Sequence, residues 1–209
     1  MSQISTSQHA SAITIYLARH ATPNRATGIR YDIAPGPPLL PEGEKEAAQL
    51  GEFMQSAGVQ QIYASPLLRT QMTAQIASET SGIARESEEV IAEWARGEKD
   101  ADVLERLWPF WERLCGESAD DGPIAIVSHG GPIRILLEEL GVSKDEVAYY
   151  CRQFDYGNPL PPAGAWRATR PLGADATWEV DLVFTPKPYE PFNRPVEAAA
   201  APVQPFPIL

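Results

Sequence analysis

The stretch IYLARHATPN, residues 15–24, decides how this chain is read. Ile13, Ile15 and Leu17 alternate with Thr14, Tyr16 and Ala18. That period of two, rich in β-branched and aromatic side chains, predicts a buried strand. The strand then runs straight into Arg19, His20 and a turn containing Pro23. Placing a charged pair there puts it at the edge of a sheet, and in open α/β sheets ligands bind beyond the carboxyl ends of the strands. A solvated surface Arg-His pair is the plain alternative, and the remainder of the chain has to choose between the two.

Working outward, strand-like and helix-like segments alternate. A Pro- and Gly-rich loop, PNRATGIRYDIAPGPPLL, is followed by PEGEKEAAQLGEFMQSAG. That segment reads as a helix, with Pro41 in its first turn, acidic Glu42 and Glu44 near its positive end, and Gly58 at its stop. QIYAS predicts a short strand, and PLLRTQMTAQIASETSG a helix ending before Gly82. ADVLERLWPFWERLC carries Leu104, Leu107, Trp108, Trp111 and Leu114 on one helical stripe, read as core, with Pro109 expected to kink the helix or end its first half. PIAIVS is a buried strand with the helix GPIRILLEELG behind it, and Ser143 caps a further helix, SKDEVAYYCRQF. AWRATR and TWEVDLVF read as late strands. This alternation predicts a three-layer α/β/α sandwich whose central sheet is mostly parallel and covered on both faces. The domain is expected over residues 13–185, between an N-terminal tail (1–12) and a Pro/Ala-rich C-terminal tail (186–209).

Composition narrows the partners. With 209 residues and 44% hydrophobic content, one sizeable core is expected. A net charge of -11 argues against nucleic acid or an anionic membrane as a general partner, while leaving room for a locally positive pocket. Cys115 and Cys151, the two cysteines, lack metal-ligand spacing and predict neither a disulfide framework nor a metal site. No apolar run is long enough to span a bilayer and the N-terminal stretch lacks signal-peptide features, so a cytoplasmic location is expected.

The opening logic recurs twice. IVSHGGPIR delivers His129 from the end of a buried strand just before a helix, and YASPLLRTQMTA places Arg69 in the first turn after another strand. Of the three histidines only His9, in the polar tail, is not so placed. Arg19, His20, Arg69 and His129 would then converge over one sheet edge. Arginine does not ligate metals, whereas a helix N-terminus with guanidinium forks suits a dianionic phosphoryl group.

These blocks carry a resemblance. Arg19-His20, the segment PLLPEGEKEAAQLGEFM, the Ser65-Pro66-x-x-Arg69 segment and IVSHGGPIRILL are similar, in the same order, to those of the histidine phosphatase superfamily, also called the phosphoglycerate mutase-like family. The likeness covers roughly residues 13–140 and implies that family's fold. It further implies that His20 is a nucleophile forming phosphohistidine, that Arg19 and Arg69 hold the phosphoryl oxygens, and that His129 stabilises the transferring group. A carboxylate between the histidine blocks would serve as proton donor; Glu93 matches best and Glu98 is its rival. No metal or cofactor is implied.

The chain also departs from the family. Ala21 and Pro23 stand where Gly and Thr are common, Ala26 replaces a usual Asn, and Leu40 replaces a capping Thr or Ser. Asn24, slightly out of register, and Arg25 and Arg30, in the loop expected to overhang the pocket, are candidate substrate contacts. Arg134 reads as a salt-bridge residue. The Glu-Arg-His-Tyr-Gly block and longer insertion of phosphoglycerate mutases are missing, which favours a phosphomonoester hydrolase acting on a small phosphorylated metabolite. Mutase-type phosphotransfer, a phosphohistidine protein phosphatase and a non-catalytic phospholigand-binding relative stay open, as does assembly into a homodimer.

Overall fold

The computed structural model describes residues 12–154, 157–173 and 176–189. His9 and nearly all of the two expected tails therefore lie outside the described residues. Within them, strand β1 (Ala12–Arg19) leads through a long loop to helix α1 (Pro41–Ser56), then β2 (Gln61–Ala64), α2 (Leu68–Ser81) and β3 (Ala84–Ser87). Helix α3 (Asp100–Asp121), β4 (Ile124–Ser128), α4 (Gly130–Glu139) and α5 (Lys144–Gln153) follow, and β5 (Ala165–Pro171) and β6 (Glu179–Phe184) close the order.

The six strands form one sheet in the order β3-β2-β4-β1-β5-β6. The pairs β1–β4, β2–β4 and β2–β3 are parallel, whereas β5 and β6 add antiparallel pairs on one side. Strand alternation splits the core in two. Ile13, Ile15, Leu17, Ile124 and Ile126 face α3, α4 and α5, where Leu107, Trp111, Leu114, Ile133 and Leu137 meet them. Tyr16, Ala18, Ile62, Ala64, Ala125 and Val127 face α1 and α2, through Ala47, Leu50, Met54, Ala74 and Ala77. The result is the expected α/β/α sandwich. No helix among the described residues is long and apolar enough to cross a membrane.

Three local expectations are corrected. Of the two outcomes expected at Pro109, a kink or an end, the end does not occur: α3 continues through it to Asp121 and stops at Gly122, whose φ is 102°. Burial of Leu107, Phe110, Trp111 and Leu114 on both sides of the proline outweighs the roughly 3 kcal/mol a helix-interior proline costs. Strand β3 was not anticipated, because all four of its residues are exposed and so show no apolar alternation. Helix α2 starts at Leu68 rather than at Pro66. Elsewhere the local chemistry is as read: Leu40 offers no side-chain cap to α1, and the Ser143 hydroxyl accepts from the Glu146 amide.

Helices α1 and α2 pack so closely that Gly51 has no room for a side chain. A Cβ there would lie 2.6 Å from the Ala77 carbonyl oxygen and 2.9 Å from the Ala77 Cα. In an isolated helix Gly51→Ala would stabilise by up to about 1 kcal/mol; here it is expected to destabilise by about 1–3 kcal/mol through overpacking. Urea unfolding at unchanged m-value measures the sign. A variant as stable as the parent would contradict this helix contact.

Candidate active site

The site is assembled where three parallel strands end. Arg19 is the last residue of β1, and His20 follows it with its amide bonded to the Ser128 carbonyl at 2.9 Å. His129 directly follows β4 and is the N-cap of α4. Ser65 follows β2, its amide donating to the Val127 carbonyl, and Arg69 stands in the first turn of α2. All four predicted residues come together, and all are buried: Arg19 2%, His20 1%, Arg69 0% and His129 0% exposed. The two imidazole centroids are 5.4 Å apart.

Each ring is oriented by a pair of contacts. His20 Nδ1 lies 2.8 Å from the Ala21 carbonyl oxygen, and its Nε2 lies 3.0 Å from the Tyr31 hydroxyl. His129 Nε2 lies 2.7 Å from Ser65 Oγ, while an Arg69 guanidinium nitrogen donates to its Nδ1 at 3.1 Å. Arg69 also donates to the Tyr31 carbonyl at 2.9 Å, and Arg19 to the Leu160 carbonyl at 3.2 Å. Among the described residues the buried Nε atoms of both Arg19 and Arg69 have no hydrogen-bond partner.

Electrostatics follow from this packing. Burial, then Arg19, His129 and Arg69, push the His20 pKa well below 6.5; burial, then Arg69 and Arg19, do the same to His129. Desolvation lowers both arginines too, without bringing a guanidinium near neutrality. No group of three or more His, Cys, Asp or Glu side chains among the described residues is arranged to hold a metal ion.

The two candidate carboxylates separate clearly. Glu93 reaches the cluster, with one oxygen 3.7 Å from His129 Nδ1 and 3.8 Å from Arg69, and burial raises its pKa. Glu98 instead accepts from the Ala95 amide and pairs with Arg106 at 2.9 Å, which lowers its pKa. Of the loop candidates, Asn24 turns its side-chain oxygen to the Ala26 amide at 3.1 Å, and Arg30 is ion-paired with Asp32 in solvent. Arg25 does overhang the site, its guanidinium 4.0 Å from the Tyr31 ring centre. Arg134 pairs with Asp100 and Glu138, as its helical position predicted.

Several positioning residues were not foreseen. Arg106 donates to the carbonyls of Val90, Ala92 and Glu93, and Ser128 Oγ donates to the Ile91 carbonyl at 2.7 Å, so two clamps hold the segment bearing Glu93. The Glu46 carboxylate accepts from the Thr22 amide and hydroxyl, and Thr73 Oγ1 accepts from the Ala21 amide, fixing the turn after His20. On sequence Arg106 and Glu46 look like ordinary charges on helix surfaces. Tyr31 carried a weak signal, as a lone aromatic in a Pro/Gly-rich loop.

Comparison with known proteins bears on the family and the fold. Two curated relatives, both named "Probable phosphoglycerate mutase GpmB", are 34% identical over 94 residues (Klebsiella pneumoniae) and 32% identical over 120 residues (Enterobacter sp.). These matches cover 45% and 54% of this chain, and 41% and 54% of the relatives, about half their length. Among solved structures, a phosphoglycerate mutase from Bacillus anthracis superposes with a TM-score of 0.66 at 18% identity, covering 84% of this chain and 94% of that one. A mycobacterial glucosyl-3-phosphoglycerate phosphatase gives a TM-score of 0.63 at 19% identity, covering 82% and 98%. At such identities these likenesses concern the fold. The model of the histidine phosphatase superfamily (branch 1) matches residues 15–100 and 92–153, which together take in every residue of the buried cluster, and the chain belongs to that superfamily.

Proposed function

We propose that the protein is a phosphomonoester hydrolase that works through a phosphohistidine intermediate on a small phosphorylated metabolite. The observation that carries this reading is the pair of buried guanidinium groups, each with an Nε atom that lacks a partner, whose charges both act on the buried His20. Two buried cations with unsatisfied donors are costly unless an anion receives them, and a phosphoryl dianion supplies both charge and acceptors.

The hydrogen bonds define the tautomers. Arginine only donates, so His129 accepts at Nδ1 and carries its proton on Nε2, toward Ser65. A carbonyl only accepts, so His20 carries its proton on Nδ1 and keeps its lone pair on Nε2. That lone pair would attack phosphorus while the bond to the ester oxygen breaks. Glu93, held protonated to higher pH by burial, would give its proton to the departing oxygen. Water would then attack phosphorus, giving a proton back to Glu93 as the N–P bond electrons return to His20. Arg19 and Arg69 would stabilise the charge on the equatorial oxygens throughout, and His129 would orient Arg69 through its Nδ1. The short connection between the histidine blocks, without the insertion of the mutases, supports hydrolysis. The mutase names of the relatives keep phosphotransfer as a second reading, which an isomerisation assay on phosphoglycerates would detect.

Three outcomes test this. His20→Ala should abolish hydrolysis of p-nitrophenyl phosphate, in the presence of EDTA as well, with its melting curve intact; retention of more than about a hundredth of the parent turnover would sink the nucleophile assignment. Glu93→Gln should slow an alkyl phosphate on the order of 10²-fold or more, and an aryl ester less in its first step, with a burst of p-nitrophenol. Glu98→Gln should lack that discrimination; if it alone shows it, the acid assignment moves to Glu98.

The third concerns pH. Both histidines have folded pKa values below the ordinary 6.5. As pH falls below about 6.5 the unfolded chain binds protons that the folded chain refuses, so their contribution to stability is full above that pH and is lost as pH falls toward the folded values. Side-chain ¹⁵N spectra at pH 6 should show both rings neutral, His20 as the Nδ1–H and His129 as the Nε2–H tautomer. A ring titrating at 6.5 or higher would contradict the assignment.

A further inference from the structure

Tyr31 belongs to a loop that is otherwise turned to solvent. Residues 25–30 and 32–35 are exposed, and Tyr31 alone between them reaches inward. The loop is pinned at its two ends. The Asn24 amide donates to the Pro38 carbonyl, Pro23 bridges Leu39, and the Pro35 carbonyl accepts from the Leu68 amide. Between these anchors, the ring and the carbonyl of Tyr31 both contact the body.

Those contacts fall on the reacting atoms. The Tyr31 hydroxyl is 3.0 Å from His20 Nε2. Because Nδ1 is committed to the Ala21 carbonyl, Nε2 holds the single lone pair of the neutral ring, and the phenol must be the donor. The ring itself lies against two cations, its centre 3.9 Å from the Arg69 guanidinium carbon and 4.0 Å from that of Arg25. Its carbonyl accepts from Arg69 at 2.9 Å. The lone pair that would attack phosphorus and one face of the guanidinium that would hold its oxygens are thus covered by one side chain.

We propose that Tyr31 is a substrate-displaced gate: its phenol competes with the incoming phosphoryl group for His20 Nε2 and the Arg69 face, and the loop between Asn24 and Pro35 lifts to admit a phosphate monoester. This rests on the reading of His20 as the phosphoryl acceptor. Displacement suits a dianion. It trades one neutral hydrogen bond and cation–π contacts for charge-assisted bonds to both arginines. The loop can move without unpicking the fold, since the segment that lifts lies between its anchors, the Pro23–Leu39 bridge at one end and the Pro35–Leu68 hydrogen bond at the other.

The experiment is oxyanion binding without turnover. Tungstate and inorganic phosphate would be titrated calorimetrically into the parent, Tyr31→Phe and Tyr31→Ala proteins, with melting curves to confirm folding. Tyr31→Phe keeps the ring between the two arginines and deletes only the competing hydroxyl. It should bind both anions more tightly, by roughly 2- to 10-fold, the worth of one net hydrogen bond. Tyr31→Ala should tighten binding at least as much, and the ¹⁵N resonance of His20 Nε2 should shift in both variants before any anion is added. Unchanged affinity in both variants, or weaker binding in Tyr31→Phe, would overturn the gate, the latter by making the hydroxyl a phosphate ligand. Failure of the gate is separable from failure of the function: the first is read in anion affinity of the Tyr31 variants, the second in the turnover of His20→Ala.

Discussion

Everything in the site depends on the register between β1 and β4. The strands run parallel with Arg19 opposite Ser128, so each releases its histidine one step later at the same edge of the sheet. The backbone bond from the His20 amide to the Ser128 carbonyl extends that ladder one residue beyond the strands. A slip by one residue would turn the alternating side chains to the wrong faces and exchange core for pocket. Ile and Leu residues of both strands against α3–α5, and Tyr16, Ala18, Ala125 and Val127 against α1–α2, make the two faces non-interchangeable. Packing chemistry far from the pocket therefore holds the two rings 5.4 Å apart.

Given that scaffold, charge balance explains the chemistry available. Two guanidinium groups buried beside two imidazoles make further positive charge unwelcome, and both rings stay neutral where an exposed histidine would titrate. The same burial acts in the opposite sense on Glu93, favouring its protonated form, while Arg69 and Arg19 pull against it. A neutral imidazole at His20 and a raised carboxyl pKa at Glu93 are the two states that the proposed phosphoryl transfer uses. Burial is the largest cause of both shifts. The second layer preserves it: Arg106 and Ser128 fix the backbone before Glu93, and Glu46 and Thr73 fix the turn after His20.

The amino-acid sequence by itself determined the order of strands and helices through the core of the fold, and the four residues Arg19, His20, Arg69 and His129. Alternation and helical stripes are local signals, and a charged pair at the end of an apolar strand stands out against them. It did not reveal β3, whose exposed residues carry no such pattern, and it left open whether α3 ends at Pro109, where distant packing carries the helix through a local breaker. The choice between Glu93 and Glu98 was open for the same reason. Five residues apart on one segment, they differ only in what lies across from them: Arg69 and His129 for one, Arg106 for the other. Asn24 and Arg30 looked equivalent to Arg25 as loop polar groups, yet local bonds to Ala26 and Asp32 hold the first two away. The placement of Tyr31 on His20 was decided wholly by the tertiary structure, because it joins a loop residue to atoms just past β1 and in α2 that no local pattern relates. Sequence periodicity records which side of an element meets the core; which side chain meets which across a pocket is settled only when the elements pack.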